Sequence, residues 1–420
     1  MLTIRNVHAI EILDSRGNPT VNVTVELSNG VAGTAQVPSG ASTGKHEAVE
    51  LRDGDPARYA GKGVLHAVAN VNTVLGPAVR GMNAEEQSAL DHKLIQIDGT
   101  PDKSRLGANA LLGISCATAR AIARSRKLPL WKSLATGQQP RMPVPMVNII
   151  SGGLHGGSRI EVQDFLIIPR GFSRLSEALE AIVKVHRATE GVLFEQGYQL
   201  TGVADEGGWG PALESNVEGL DILADAIART GLDNRFTIGL DIASSHFHRE
   251  GRYILKTENR SLNSQEMIEM FEHWTADYPI TSIEDGLEED DWHGWRVLTE
   301  KLGARIQLIG DDLFTTNPKR VRYGVGIGAA NAVLVKMNQI GTLTETFEVV
   351  KLAQQAGYLT IVSARSGETE DSFLADLAVA TGAGQIKIGS VTRSERLAKY
   401  NRLLEIENEI GDHAPLEMET

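Results

Sequence analysis

FTIGLDIA at 236–243, ITSIEDG at 280–286, IQLIGDD at 306–312 and NAVLVKMN at 331–338 decide the reading of this chain. Each is an apolar run ending in one charged residue: Asp241, Glu284, Asp311 and Lys336. Three acids and a lysine at the mouths of consecutive strands predict a metal-assisted site. Hard divalent cations such as magnesium prefer carboxylate oxygens. A lysine beside bound cations can serve as a base, because neighbouring positive charge lowers its pKa. One strand-end acid alone reads equally well as a helix cap or a solvated loop charge. Four in successive strands, one of them a lysine, favour function.

Further strands flank these four: VPMVNII, IEVQDFLII, YLTIVSA and QIKIGS. Helical periodicity lies between most of them, in LSEALEAIVKVHRATEGVLFEQ, NVEGLDILADAIART, SQEMIEMFEHW, GWRVLTEKLG, TLTETFEVVKLAQQAG and DSFLADLAVATG. Eight strands with intervening helices predict an α/β fold, a TIM-like eight-stranded (β/α) barrel over residues 142–420. Such a barrel needs about 250 residues. Functional residues then sit at the carboxyl ends of the strands, where His155 in SGGLHGGS and Arg365 in SARSGETE also fall. Two helices around ERLAKYNRLLEIENEIG are expected to cover the barrel or face a partner.

The first part of the chain reads differently. TIRNVHAIEIL, TVNVTVEL and VAGTAQV alternate like strands, with turns at SRGNP and SNG. A loop of small residues follows, PSGASTGKHE, and then three helical stretches that end with GANALLGISCATARAIA. This predicts a small α+β capping domain over residues 1–130. The join is TGQQPRMPVP, with three prolines.

A chain of 420 residues exceeds one ordinary core. At 41% hydrophobic and 23% charged it has the composition of a globular protein. A net charge of −13 argues against nucleic acid, whose phosphates need clustered Lys and Arg. It leaves a small anionic substrate open, since local charge in a cleft decides that. The single cysteine, Cys116, permits no internal disulfide and reads as core packing, consistent with a cytoplasmic location. Neither a signal peptide nor a membrane span is read.

At this point the residues carry a resemblance. The chain resembles the enolase family over essentially its whole length, through DSRGNPTV, VPSGASTGKHEA, LRDGD, MPVPMVNII, VADEGGWGP, SIEDGL, GDDLF, VLVKMNQIGTLTET, RSGETED and QIKIGS. The resemblance implies two Mg2+ ions per active site, a small phosphorylated substrate and a homodimer. It implies Asp241, Glu284 and Asp311 as ligands of one magnesium, and Ser42 as a ligand of the second. Lys336 matches the base for the proton alpha to the carboxylate. Glu206 matches the acid that assists departure of the hydroxyl. Lys387 matches a contact to the substrate carboxylate, and Arg365 and Ser366 a phosphate-binding pair. His155 and Gln163 match residues near the phosphate and in the same shell. A Lys or His base with one or two magnesium ions is the established pattern of enolase-superfamily sites. Without the resemblance, Glu206 reads as a turn residue among glycines. Arg365 then reads as a surface partner of Glu368 or Glu370, and His155 as a loop residue.

Several positions depart from the family pattern. Ala364 stands where a histidine is usual, and Asp164 where a glutamate is usual. The loop around His155 carries Ser151, Leu154 and Gly156–Gly157, Trp209 follows the DEGG segment, and His246 stands where an acid is common. Ala364, Asp164, the 151–158 loop and Trp209 are expected at the end of the site away from the metals, leaving extra room there. Lys336, Lys387 and the three acids are unchanged. This predicts retained enolisation with a changed leaving-group or phosphate end. A specialised paralog fits, such as one forming carboxyphosphonoenolpyruvate in phosphonate biosynthesis. The alternatives are an ordinary enolase converting 2-phosphoglycerate to phosphoenolpyruvate, and a non-catalytic binding paralog.

Overall fold

The computed structural model describes residues 1–40, 43–135, 137, 141–411 and 416. The N-terminal part pairs β1 (Ile4–Leu13), β2 (Pro19–Leu27) and β3 (Ala32–Gln36) into an antiparallel sheet. Alternation along β2 buries Val21, Val23, Val25 and Leu27, which face the helix Ala108–Ser125. That helix is buried almost all round, and Gly113 packs so close to Val23 that a Cβ would meet it at 2.3 Å. Cys116 lies inside this core, as composition predicted, and burial pushes its thiol well up.

The eight expected strands all form and, among the described residues, close one barrel. They are β4 (Val144–Ser151), β5 (Asp164–Pro169), β6 (Phe236–Asp241), and, after a small outer sheet, β10 (Ile280–Glu284), β11 (Gln307–Gly310), β12 (Ala332–Val335), β13 (Leu359–Ser363) and β14 (Gln385–Gly389). The outer sheet is β7 (His248–Arg249), β8 (Arg252–Leu255) and β9 (Arg260–Leu262). Nearly every barrel-strand residue is buried, as expected for strands covered on both faces.

Three expectations are corrected. The barrel is not uniformly parallel: β5 runs antiparallel to both β4 and β6. Antiparallel neighbours need no crossover helix, and the chain between β4 and β5 carries no helical pattern. Reversal brings the first residue of β5, Asp164, to the same mouth as the last residues of the parallel strands. Secondly, the C-terminal segment is one helix, Ser394–Ile410, rather than two. Thirdly, the helix Pro318–Ile327 has no counterpart in the sequence reading, since two internal glycines blur its periodicity. Asn317 caps it and Pro318 opens it, both ordinary starting signals. No helix among the described residues is long and apolar enough to cross a membrane.

Candidate active site

Strand register assembles the mouth. Asp241 is level with Glu284 on one side and with Asp164 on the other. Lys387 pairs with Ser363, next to Ala364. One cavity at this mouth is lined by His155, Gln163, Glu206, Lys336, Ala364 and Arg365 among others.

The charged groups meet in pairs. Lys387 Nζ donates to Asp241 Oδ2 and to Glu284 Oε2, both at 2.7 Å. Lys336 Nζ donates to Asp311 Oδ2, whose other oxygen accepts from Gln339 Nε2 at 2.8 Å. Gln163 Nε2 reaches Asp241 Oδ2 at 3.2 Å. Burial pushes the Glu284 carboxyl well up, and the Asp241 carboxylate adds to it. Burial also works against charge on Asp241, but the Lys387 ammonium holds that carboxyl below its usual value. Lys387 and Lys336 are both buried, which disfavours their charge, yet the adjacent carboxylates hold them above the ordinary lysine value. Asp311 thus opposes the lowering expected of Lys336 beside a bound cation.

A second cluster faces the first. His155 Nδ1 meets Asp164 Oδ2 at 2.8 Å, and Nε2 lies 3.9 Å from Glu206 Oε1. Asp164 also accepts from Asn148 Nδ2 at 2.5 Å and Ser151 Oγ at 3.1 Å. Burial opposes protonation of His155, but the two carboxylates push it up to about 9. Burial raises Asp164, whereas Glu206, although buried, is held below its usual value by His155, Arg396 and Lys387. These neighbours favour the ionised form of Glu206, the residue expected as the acid. The cationic proton carrier here is His155.

Arg365 is engaged as well. Its guanidinium donates to Glu47 Oε2 at 3.0 Å and Oε1 at 3.2 Å, and to Asn338 Oδ1 at 3.0 Å. Its partner is therefore Glu47 from the capping domain. Glu368 Oε1 accepts only its backbone N–H, at 3.1 Å. Arg396, fully buried, donates to the carbonyls of Arg365 and Ser366 at 2.6 and 2.7 Å and so fixes the backbone of that pair. Ser42 lies outside the described residues. Trp209 does not face the cavity: its indole donates to the His186 carbonyl at 2.9 Å and stacks on the His186 ring. The extra room expected beside Ala364 is not open. The cavity measures about 20 Å3, about one water, because the lysine–carboxylate and Arg365–Glu47 pairs fill it.

Sequence reasoning missed Glu47, Gln339, Asp285 and Arg396. Asp285 follows Glu284 with a left-handed φ of 44°. Its carboxylate accepts the N–H groups of Asp311 and Asp312 at 2.9 and 2.8 Å, tying β10 to the loop after β11. The KMNQIG and SIEDG segments were visible as motifs, but nothing local marks Gln339 or Asp285 within them.

The donor set suits a hard cation. Asp241, Glu284 and Asp311 offer carboxylate oxygens, and Glu284 Oε1 and Gln163 Oε1 are buried with no hydrogen-bond partner among the described residues. Among the described residues the groups that bring three ligand atoms within 4.8 Å of one another are His155–Asp164–Glu206 and Asp285–Asp311–Asp312, not the strand-end trio. We favour the strand-end trio for a cation. In the second of these groups Asp285 spends both oxygens on backbone N–H groups, and the trio keeps an unpartnered oxygen on Glu284 among the described residues.

The mouth is a carboxylate–lysine centre on an eight-stranded barrel, under a small α+β domain. Residues 4–134 match the family model described as enolase, N-terminal domain. Residues 139–419 match enolase, C-terminal TIM barrel domain. The chain belongs to the enolase family.

Proposed function

We propose that the protein is a magnesium-dependent lyase that removes the proton alpha to a carboxylate in a small phosphorylated hydroxy acid and then expels hydroxide. The carrying observation is the mouth itself: two buried lysines interleaved with three carboxylates, with Glu284 Oε1 unpartnered. Asp241, Glu284 and Asp311 would hold magnesium, which when bound supplies charge stabilisation for a dianionic aci-carboxylate. Lys336 takes the alpha proton. Its ammonium is held by Asp311, and a cation held by Asp311 would compete for that carboxylate. Lys387 faces the substrate carboxylate, and Arg365 with Ser366 its phosphate. Hydroxide leaves poorly unless protonated. The proton at that end stands on His155, between Asp164 and Glu206.

The finer reading is a specialised paralog. Ala364 and Asp164 alter the mouth itself, Asp164 beside Asp241 and Ala364 beside Lys387, which supports a substrate with a changed phosphorus group. A phosphoglycerate analogue bearing an extra carboxylate, as in carboxyphosphonoenolpyruvate formation, fits that change. A cytoplasmic homodimer belongs to the same proposal. Exposed Ile10 and Leu13 on β1 are apolar surface that a second copy would cover.

The test combines turnover, exchange and metal binding. With magnesium and 2-phosphoglycerate, slow or absent phosphoenolpyruvate formation is expected, alongside exchange of the alpha proton into deuterated water. Magnesium should raise Tm by mass action, and Glu284→Gln should remove that rise. An enolase-like rate would sink the specialised reading. Neither exchange nor a magnesium-dependent Tm would sink the lyase reading.

A further inference from the structure

A second cavity of about 400 Å3 lies beside the mouth, between the 153–161 loop and the outer sheet. Its apolar lining includes Leu154, Ile160 and Ile254, and Leu154 is 47% exposed. Arg249 and Lys256 are its exposed cations. Lys256 makes no ion pair among the described residues. The one acid of the lining, Glu161, is already engaged by Asn216 Nδ2 at 3.0 Å and by Thr257 at 3.2 Å. Two exposed cations against one carboxylate leave the cavity with a net positive charge. His246 also lines it, half-buried, with no hydrogen bond to its ring among the described residues.

We infer that this cavity is an accessory binding site for a small amphipathic anion, a phosphate or carboxylate joined to a short apolar group. The apolar part would pack on Leu154, Ile160 and Ile254, and the anion would meet Lys256 and Arg249. Pockets of this volume with an apolar lining and a few polar groups are the usual form of small-molecule sites. The position couples it to the mouth through covalent neighbours: Leu154 lines the cavity, while His155 turns inward to Asp164. An occupant bearing on Leu154 acts on the segment that places His155. The inference rests on this geometry and does not require the proposed lyase activity.

The probe is phenyl phosphate, titrated calorimetrically into the full-length protein. One equivalent should bind. Lys256→Glu should weaken binding at least about tenfold by replacing attraction with repulsion. Ile254→Trp, which fills the cavity, should do the same, and Arg365→Ala should leave affinity unchanged. Lys256 is at the surface, so its variant keeps the fold even if Ile254→Trp does not. No binding, or binding lost in Arg365→Ala and kept in Lys256→Glu, overturns the inference. The latter result would place the probe in the active-site mouth.

Discussion

His155 carries a positive charge between two carboxylates, and this makes stability depend on pH. Its unfolded pKa is about 6.5, and in the folded protein it is pushed up to about 9. Its contribution is therefore complete below pH 6.5, fades between 6.5 and 9, and is gone above. The loss should be about 1–3 kcal/mol. Denaturant unfolding of magnesium-free protein should show wild type losing more stability over this window than His155→Gln. Equal losses would mean that the imidazole is neutral throughout. At this scale the sequence was partly legible. Asp241, Glu284, Asp311 and Lys336 stood out because each ends an apolar run. Glu47 did not, because its meaning lies in a contact with Arg365 that only folding creates.

Among the elements, the helix Pro318–Ile327 shows how packing overrides local preference. It holds two interior glycines with opposite surroundings. A Cβ at Gly324 would lie 2.4 Å from the Phe314 ring, whereas one at Gly326 would meet nothing within 4 Å. Gly324→Ala should cost about 1–3 kcal/mol through overpacking. Gly326→Ala should stabilise by up to about 1 kcal/mol, because alanine is the better helix former. Thermal melts of the two variants should move in opposite directions, and a parallel shift would refute the packing argument. The sequence could not separate these glycines. Strand β5 is the parallel case: its apolar run identified it as a strand, but its direction depended on the loop before it and the neighbours it joined.

Across the whole molecule, the capping domain is bound to the barrel by buried charge. Arg120 on the helix Ala108–Ser125 donates to Asp371, with Nη1 to Oδ2 at 2.6 Å. Burial opposes the charge on Asp371, but Arg120 holds its carboxyl below the usual value. Arg120→Ala would leave a buried carboxylate without its cation, at a cost of about 3–5 kcal/mol. Asp371→Ala made in the same protein should recover part of that loss, since the two residues act as one unit. A double variant as unstable as the sum of the singles would show that the pair is not coupled. Lys103 and Glu345 make a second such link at 3.0 Å.

The sequence by itself determined the barrel, its capping sheet and the charged residues at the strand mouths. These are local properties: periodicity, turn residues and the charge that closes an apolar run. Tertiary structure decided the direction of β5, the partner of Arg365, and which groups are charged. Lys336, Lys387 and His155 are pushed towards their charged forms, and Glu206 towards its ionised form, because burial removes water from each group and leaves its neighbours to set its charge. Those neighbours come from distant parts of the chain.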